Sequence, residues 1–255
     1  MSVNSVSVVY FSPTNTTRKA VQAIAQGSGL PLKQEINATK PAVREEAYTF
    51  ASDELVIVGM PVYSGRIPAC CFDFVKSLKG NQTPCVLVAM YGNRDYEHAL
   101  MEMHSLMNPN GFETMACGMF IGTHSYNENI AKDRPNEADL AQAAEFGKAV
   151  AEKIANNGTP LTIFDLLKPQ AMKRGVAPII SDKCIQCGTC IAGCPTAVIA
   201  DDYSTDPSKC IMCMACTRYC PVNAIAFAPE VGMDKIAASC MERFGTPDKE
   251  NKIQL

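Results

Sequence analysis

Eight of the chain's thirteen cysteines crowd between residues 184 and 220, and no other feature constrains the fold so tightly. Cys184, Cys187, Cys190 and Cys194 follow C-x2-C-x2-C-x3-C-P, and Cys210, Cys213, Cys216 and Cys220 repeat the spacing. The surroundings repeat too: Lys183-Cys184-Ile185 returns as Lys209-Cys210-Ile211, and Cys194-Pro195 as Cys220-Pro221, so the segment is an internal duplication. Met1 to Phe11 carries neither a basic leader nor a cleavage site, and no apolar run nears the roughly eighteen residues that span a bilayer. The expectation is a cytoplasmic protein. Its reducing surroundings disfavour disulfides, so the crowded thiols read as metal ligands.

A [4Fe-4S] cube takes four thiolates; three closely spaced cysteines wrap one face and the fourth must come from elsewhere. Paired C-x2-C units also suit tetrahedral zinc, but the full spacing with its two prolines favours the cube. Gly188, Ala192, Gly193 and Ala215 are small enough to let main-chain N–H groups approach cluster sulfurs. The run resembles the bacterial two-cluster ferredoxins. That resemblance implies two [4Fe-4S] clusters with crossed ligands: Cys184, Cys187, Cys190 and Cys220 for cluster I, and Cys210, Cys213, Cys216 and Cys194 for cluster II. The other five cysteines, Cys240 among them, read as structural or incidental, and Cys85 and Cys117 as small apolar residues in or beside strands.

Upstream, short apolar runs alternate with helical stretches, the pattern of repeated βαβ units. Five strands are expected at 2–11, 31–36, 54–60, 84–90 and 112–121. Helices are expected at 16–25, 68–78, 95–107 and 135–155. This predicts a doubly wound, five-stranded parallel sheet that binds its ligand at the carboxyl ends of the strands. A smaller α+β domain holds the cysteines. The domains divide as 1–156, a linker at 157–180 rich in Pro and Gly, 181–229, and a C-terminal helix (233–244) and tail within 230–255. Leu161 to Lys168 reads as a short docking helix, and the polar stretch 245–255 as partly mobile.

Ser12-Pro13-Thr14-Asn15-Thr16-Thr17 follows the first strand and opens a helix, where unpaired N–H groups and hydroxyls suit an anion. The plain alternative is that Ser12 or Thr14 merely caps that helix. The loop is similar to the phosphate loop of flavodoxins, with Asn15 standing where glycine is usual. Two further loops at the same sheet edge resemble those that enclose a flavin ring: Pro61-Val62-Tyr63-Ser64-Gly65, and Tyr91-Gly92-Asn93 with Tyr96. The resemblance implies FMN, Tyr63 and Tyr91 as stacking faces, and edge contacts from Ser64, Gly65, Gly92 and Asn93. Arg66 and Arg94 read as contacts to the flavin or a partner, or as plain surface charge. His124 is a candidate proton shuttle, and the spacing of His98 and His104 does not suit a metal.

The net charge of −3 offers no basic footprint for nucleic acid. The whole chain resembles the flavodoxin-ferredoxin fusion proteins of anaerobic microbes. This implies a carrier relaying electrons between two [4Fe-4S] clusters and FMN, in contact with a redox protein donor and acceptor, as a monomer or homodimer. Two other functions fit the same sequence: an FMN-dependent reductase of a quinone or nitro compound, and an empty docking module. No G-x-G-x-x-G dinucleotide fingerprint follows any strand.

Overall fold

The computed structural model describes residues 3–163 and 175–255. The large sheet is ordered β2-β1-β3-β4-β5, with a sixth strand, β8 (Lys252–Gln254), antiparallel beside β5. Five of its strands are parallel: β1 (Ser5–Tyr10), β2 (Leu32–Asn37), β3 (Glu54–Pro61), β4 (Thr83–Tyr91) and β5 (Phe112–Ile121). Order 2-1-3-4-5 is that of the flavodoxin-like doubly wound sheet, whose switch point lies between β1 and β3. β3 and β4 are buried at every position, as central parallel strands covered on both faces must be.

Helices α1 (Thr16–Gly27) and α4 (Glu137–Ala155) cover one face, and α2 (Phe72–Ser77) and α3 (Ala99–Met107) the other. α1 and α4 approach closely because Gly27 and Gly147 face each other's backbones. A Cβ at Gly27 would lie 1.9 Å from the Ala144 carbonyl oxygen. α4 starts at a capping box in which Asn136 and Asp139 satisfy each other's main-chain N–H groups. The expected helix at 68–78 is a 3-10 turn at Ala69–Cys71 leading into α2, and the one at 95–107 begins at Ala99.

The cysteine-rich part has a two-stranded antiparallel sheet, β6 (Pro178–Ile180) with β7 (Ile225–Phe227), and one-turn helices α5 (Thr189–Ala192) and α6 (Ala215–Arg218). It rests on the carboxyl edge of the large sheet. Arg44 Nη2 donates to the Pro195 carbonyl at 2.6 Å, Arg218 pairs with Glu128, and Ile211 packs against the α2/α3 apolar layer. The expected docking helix at 161–168 lies largely outside the described residues. Leu161 within it donates its N–H to the Thr114 carbonyl at 2.7 Å.

The expectation of a mobile tail is corrected. After α7 (Met233–Phe244) the chain returns as β8 (Lys252–Gln254), antiparallel to β5. Asn251 Oδ1 accepts from the Ile121 N–H at 2.8 Å, and Asn251 Nδ2 donates to Asp139 Oδ1 at 2.7 Å. A polar tail is thus fixed by side-chain amides, which serve as donor and acceptor at once. Among the described residues no helix is long and apolar enough to cross a membrane.

Candidate redox centres at the carboxyl edge of the sheet

The two cysteine runs share one backbone. Positive φ recurs at equivalent positions: Gln186 and Met212 (54° and 53°), Gly188 and Met214 (73° and 64°), Ala197 and Asn223 (49° and 50°). These left-handed residues turn main-chain N–H groups towards sulfur. Gln186 N lies 3.4 Å from Cys184 Sγ and Met212 N 3.4 Å from Cys210 Sγ, while Val198 N lies 3.2 Å from Cys194 Sγ and Ala224 N 3.2 Å from Cys220 Sγ. Such N–H···S bonds stabilise thiolates and help set cluster potential. Met214 adopts this conformation without the freedom Gly188 has.

One cavity is lined by Cys184, Cys187, Cys190 and Cys220, and a second by Cys194, Cys210, Cys213 and Cys216. Each quartet therefore takes three thiols from one run and the fourth from the other. Burial separates them. Cys187 is exposed, and hydrogen bonds from Thr189 lower its thiol; Cys213 and Cys216 are pushed up to about 12, chiefly by burial. Thiolates so buried need a positive centre to hold them ionised.

A third cavity, of about 340 Å³, opens at the carboxyl ends of β1, β3, β4 and β5, a volume suited to a small cofactor. Of the residues expected there, Thr14, Thr16, Pro61, Val62, Tyr63, Ser64, Tyr91 and Gly92 line it. Ser12, Asn15, Thr17, Gly65, Asn93 and Tyr96 are placed otherwise. Ser12 Oγ accepts from the Arg18 N–H at 3.0 Å, and Asn15 is the helix N-cap at φ 64° with no side-chain cap bond. Tyr96 meets Tyr91 edge-on with ring centroids 5.8 Å apart. The Asn93 side chain is committed to the tail, donating to the carbonyls of Phe244 (2.8 Å) and Pro247 (3.2 Å) and accepting from the Lys249 N–H (2.7 Å). Arg66 pairs with Glu102 under α3, and Arg94 with Glu97.

Thr17 Oγ1 is fully buried at the start of α1 with no hydrogen-bond partner. A buried hydroxyl left unpaired costs about 1–3 kcal/mol, and its place in the hydroxyl loop fits a phosphate ester. Beneath the loop, Gly59 leaves room for α1, since a Cβ there would meet Val21 Cγ1 at 2.4 Å. Gly92 gives His124 its seat in the same way, with Cδ2 only 2.5 Å from a built Cβ.

His124 lines the cavity, and its Nδ1 accepts from the Tyr126 N–H at 3.1 Å, so in the neutral ring the proton sits on Nε2. Burial first, then Arg94 and Arg218, lower its pKa to about 4. At neutral pH it is therefore a fixed N–H donor.

Four lining residues come from outside the large sheet's loops: Met212, Cys240, Arg243 and Phe244. Cys240 therefore belongs to the site. The sequence shows α7 as a helix but not what its half-buried side covers. Met212 stands out because it lines both this cavity and that of Cys194, Cys210, Cys213 and Cys216.

Residues 177–200 and 203–226 match the 4Fe-4S binding domain family. The C-terminal region is a 4Fe-4S binding domain. No curated protein matches the chain. Among solved structures, it is similar to a flavodoxin from the domain Archaea (19% identity, 59% of this chain and 99% of that one, TM-score 0.42). It is also similar to the Streptococcus pneumonia TIGR4 flavodoxin (18%, 58% and 98%, 0.41) and to the Fusobacterium nucleatum flavodoxin bound to flavin mononucleotide (12%, 62% and 100%, 0.37). The flavodoxin-like assignment of the first domain rests on its own strand order. A flavodoxin-like domain and a 4Fe-4S binding domain are thus joined in one chain.

Proposed function

We propose that this chain is an electron relay carrying two [4Fe-4S] clusters and FMN, with transfer between them inside a single chain. The observation that carries this reading is Met212, whose side of the 211–214 loop borders the cluster II quartet and the cavity of the large sheet together. Clusters pass single electrons, whereas a bound flavin accepts one or two.

The protein's part is to hold and separate the groups. Cys184, Cys187, Cys190 and Cys220 hold cluster I, and Cys194, Cys210, Cys213 and Cys216 hold cluster II. Thr14 and Thr16, which line the cavity, hold the phosphate with the N-terminal amides of α1, and the buried, unpaired Thr17 hydroxyl at the start of that helix is the further donor. Tyr63, Tyr91 and His124 line the ring site, the histidine with its proton on Nε2. Burial and then the neighbouring Cys213 hold the Tyr63 phenol well above its ordinary pKa, which keeps this tyrosine neutral between the two centres.

Phe244 meets His124 at a tilt, ring centroids 5.3 Å apart, and with Cys240 and Arg243 it brings α7 over part of the ring site. This favours the carrier over the quinone or nitro reductase. Rapid mixing with a low-potential donor tests the relay. Flavin reduction that follows cluster reduction at a rate independent of protein concentration is expected. A rate proportional to concentration would place the transfer between chains, and flavin left oxidised beside reduced clusters would end the reading.

A further inference from the structure

The two repeats present the same loop to different surroundings. In the second, Ile211 packs against the apolar layer beneath Val62 and Tyr63, and Met212 and Cys213 are buried. The equivalents in the first are uncovered: Ile185 is 60% exposed, and Gln186 and Cys187 are exposed. An isoleucine followed by a left-handed residue and a ligand cysteine is therefore seen once docked on a redox cavity and once facing outwards.

The open copy has an acidic rim. Asp182 and Asp202 share an open depression with Cys184 and Gln186, and Asp201 adjoins them; Lys183 is the cation beside them. Hydrogen bonds from Ser204 hold the Asp202 carboxyl below its ordinary value, so it is charged throughout the physiological range.

We propose that the Ile185-Gln186-Cys187 loop is the docking face for a separate one-electron redox protein, one with an apolar contact ringed by lysine or arginine. The occupant is argued from the internal copy, which shows that this loop shape seats on an apolar surface beside a redox site, and from the acidic rim, which a basic ring complements. The inference rests on the reading that the two cysteine quartets hold clusters. It makes cluster I the outer port and cluster II the inner one.

The test uses the full, cluster-loaded chain and cytochrome c, a lysine-ringed haem protein, as the probe. Calorimetry at low salt measures binding, and stopped-flow mixing measures oxidation of the reduced clusters. Ile185→Ser with Asp182→Asn and Asp202→Asn should raise Kd about tenfold or more and slow cluster oxidation in step. The control, Leu32→Ser with Glu145→Gln and Glu152→Gln, makes the same change of charge and apolar surface on β2 and α4. It should leave both unchanged. All these side chains are exposed, so the fold tolerates their replacement.

Equal weakening in both variants would reduce the effect to net charge and overturn the proposal. So would unchanged binding in the first. A dimer of the chain that dissolves on Ile185→Ser would give the face to a second copy instead, and also overturn it. Cluster-to-flavin transfer is read separately with a small reductant. Its failure would strike the relay and leave the docking result standing.

Discussion

The large sheet and the cysteine region reach order by different routes. In the sheet, β3 and β4 are buried at every position and an apolar layer covers each face. In the cysteine region, the apolar cluster at the centre is Cys190, Val198, Ile199 and Ile225, with Cys194, Cys210, Cys216 and Cys220 packed against it. Around fifty residues with so small a core need a staple, and ligand thiolates make metal binding part of folding. Five of the residues in and against that core are cysteines of the two quartets. The sheet can hold its shape without iron; the smaller region should not.

Iron removal is the largest expected effect and the most direct way to break this contrast. After chelation, amide exchange over 178–227 should approach that of an unfolded chain, while β1, β3 and β4 keep their protection. A cysteine region that stayed protected without iron would place its stability in packing. Because α7 contacts loop 123–127 on the sheet side, with Asn127 Nδ2 donating to the Ala237 carbonyl at 3.2 Å, this helix should stay in place after the clusters have gone.

The crossed quartets sharpen the contrast further. Cys194→Ser should resemble Cys213→Ser in iron content and spectrum, each losing about half of roughly eight irons, and Cys220→Ser should resemble Cys187→Ser. Iron assays with low-temperature magnetic resonance separate the two pairs. If Cys194→Ser instead behaved like Cys190→Ser, the ligands would not cross.

Much of this was open to the sequence because its signals are local. The cysteine spacing singles out the eight thiols that the fold gathers into two cavities, and buried parallel strands announce themselves as continuous apolar runs such as 54–60 and 84–90. The hydroxyl loop follows β1 directly and the 61–65 loop follows β3, so Thr14, Thr16 and Tyr63 could be placed by position. What was hidden depends on distant pairing. Asn251 meets Ile121 and Asp139 more than a hundred residues away, and nothing in a polar tail marks that partner. Asn93 reads as a flavin contact because of its loop, yet the returning tail takes up its amide. The duplication itself conceals Met212. Two repeats with the same backbone do not reveal which one faces inwards; only docking does.

Thr17→Val is a smaller change with effects of opposite sign on the two states of the sheet domain. The shape is nearly kept, and the buried hydroxyl without a partner disappears. Flavin-free protein should become more stable by about 1–2 kcal/mol in denaturant titrations. FMN should bind about tenfold more weakly, and riboflavin, which has no phosphate, should bind as before. Equal loss for both ligands would move Thr17 away from the phosphate. A less stable flavin-free variant would mean the hydroxyl has another role.

The smallest expected effect joins the two regions. His124 has an ordinary pKa near 6.5 in the unfolded chain and about 4 in the fold, from burial, from Arg94 on the sheet and from Arg218 of the 4Fe-4S binding domain. A folded pKa below the unfolded one means that the unfolded chain takes up the proton first. The contribution is therefore complete above pH 6.5 and lost as pH falls towards 4. Linkage puts the loss at just under ~1 kcal/mol by pH 6 and ~2 kcal/mol by pH 5. Stability compared at pH 7.5 and 6 should fall less in His124→Asn, whose amide cannot ionise in this range and still offers an oxygen to the Tyr126 N–H. An identical slope in both proteins would assign the pH dependence to other groups. Iron-free protein supplies the sharper comparison. Once the cysteine region unfolds, Arg218 leaves the ring, and the His124 pKa followed by NMR should climb part of the way back towards 6.5. Were it to stay near 4, burial against Phe244 and the Arg94 charge would account for the whole shift, and the small domain would have no electrostatic hold on the flavin cavity.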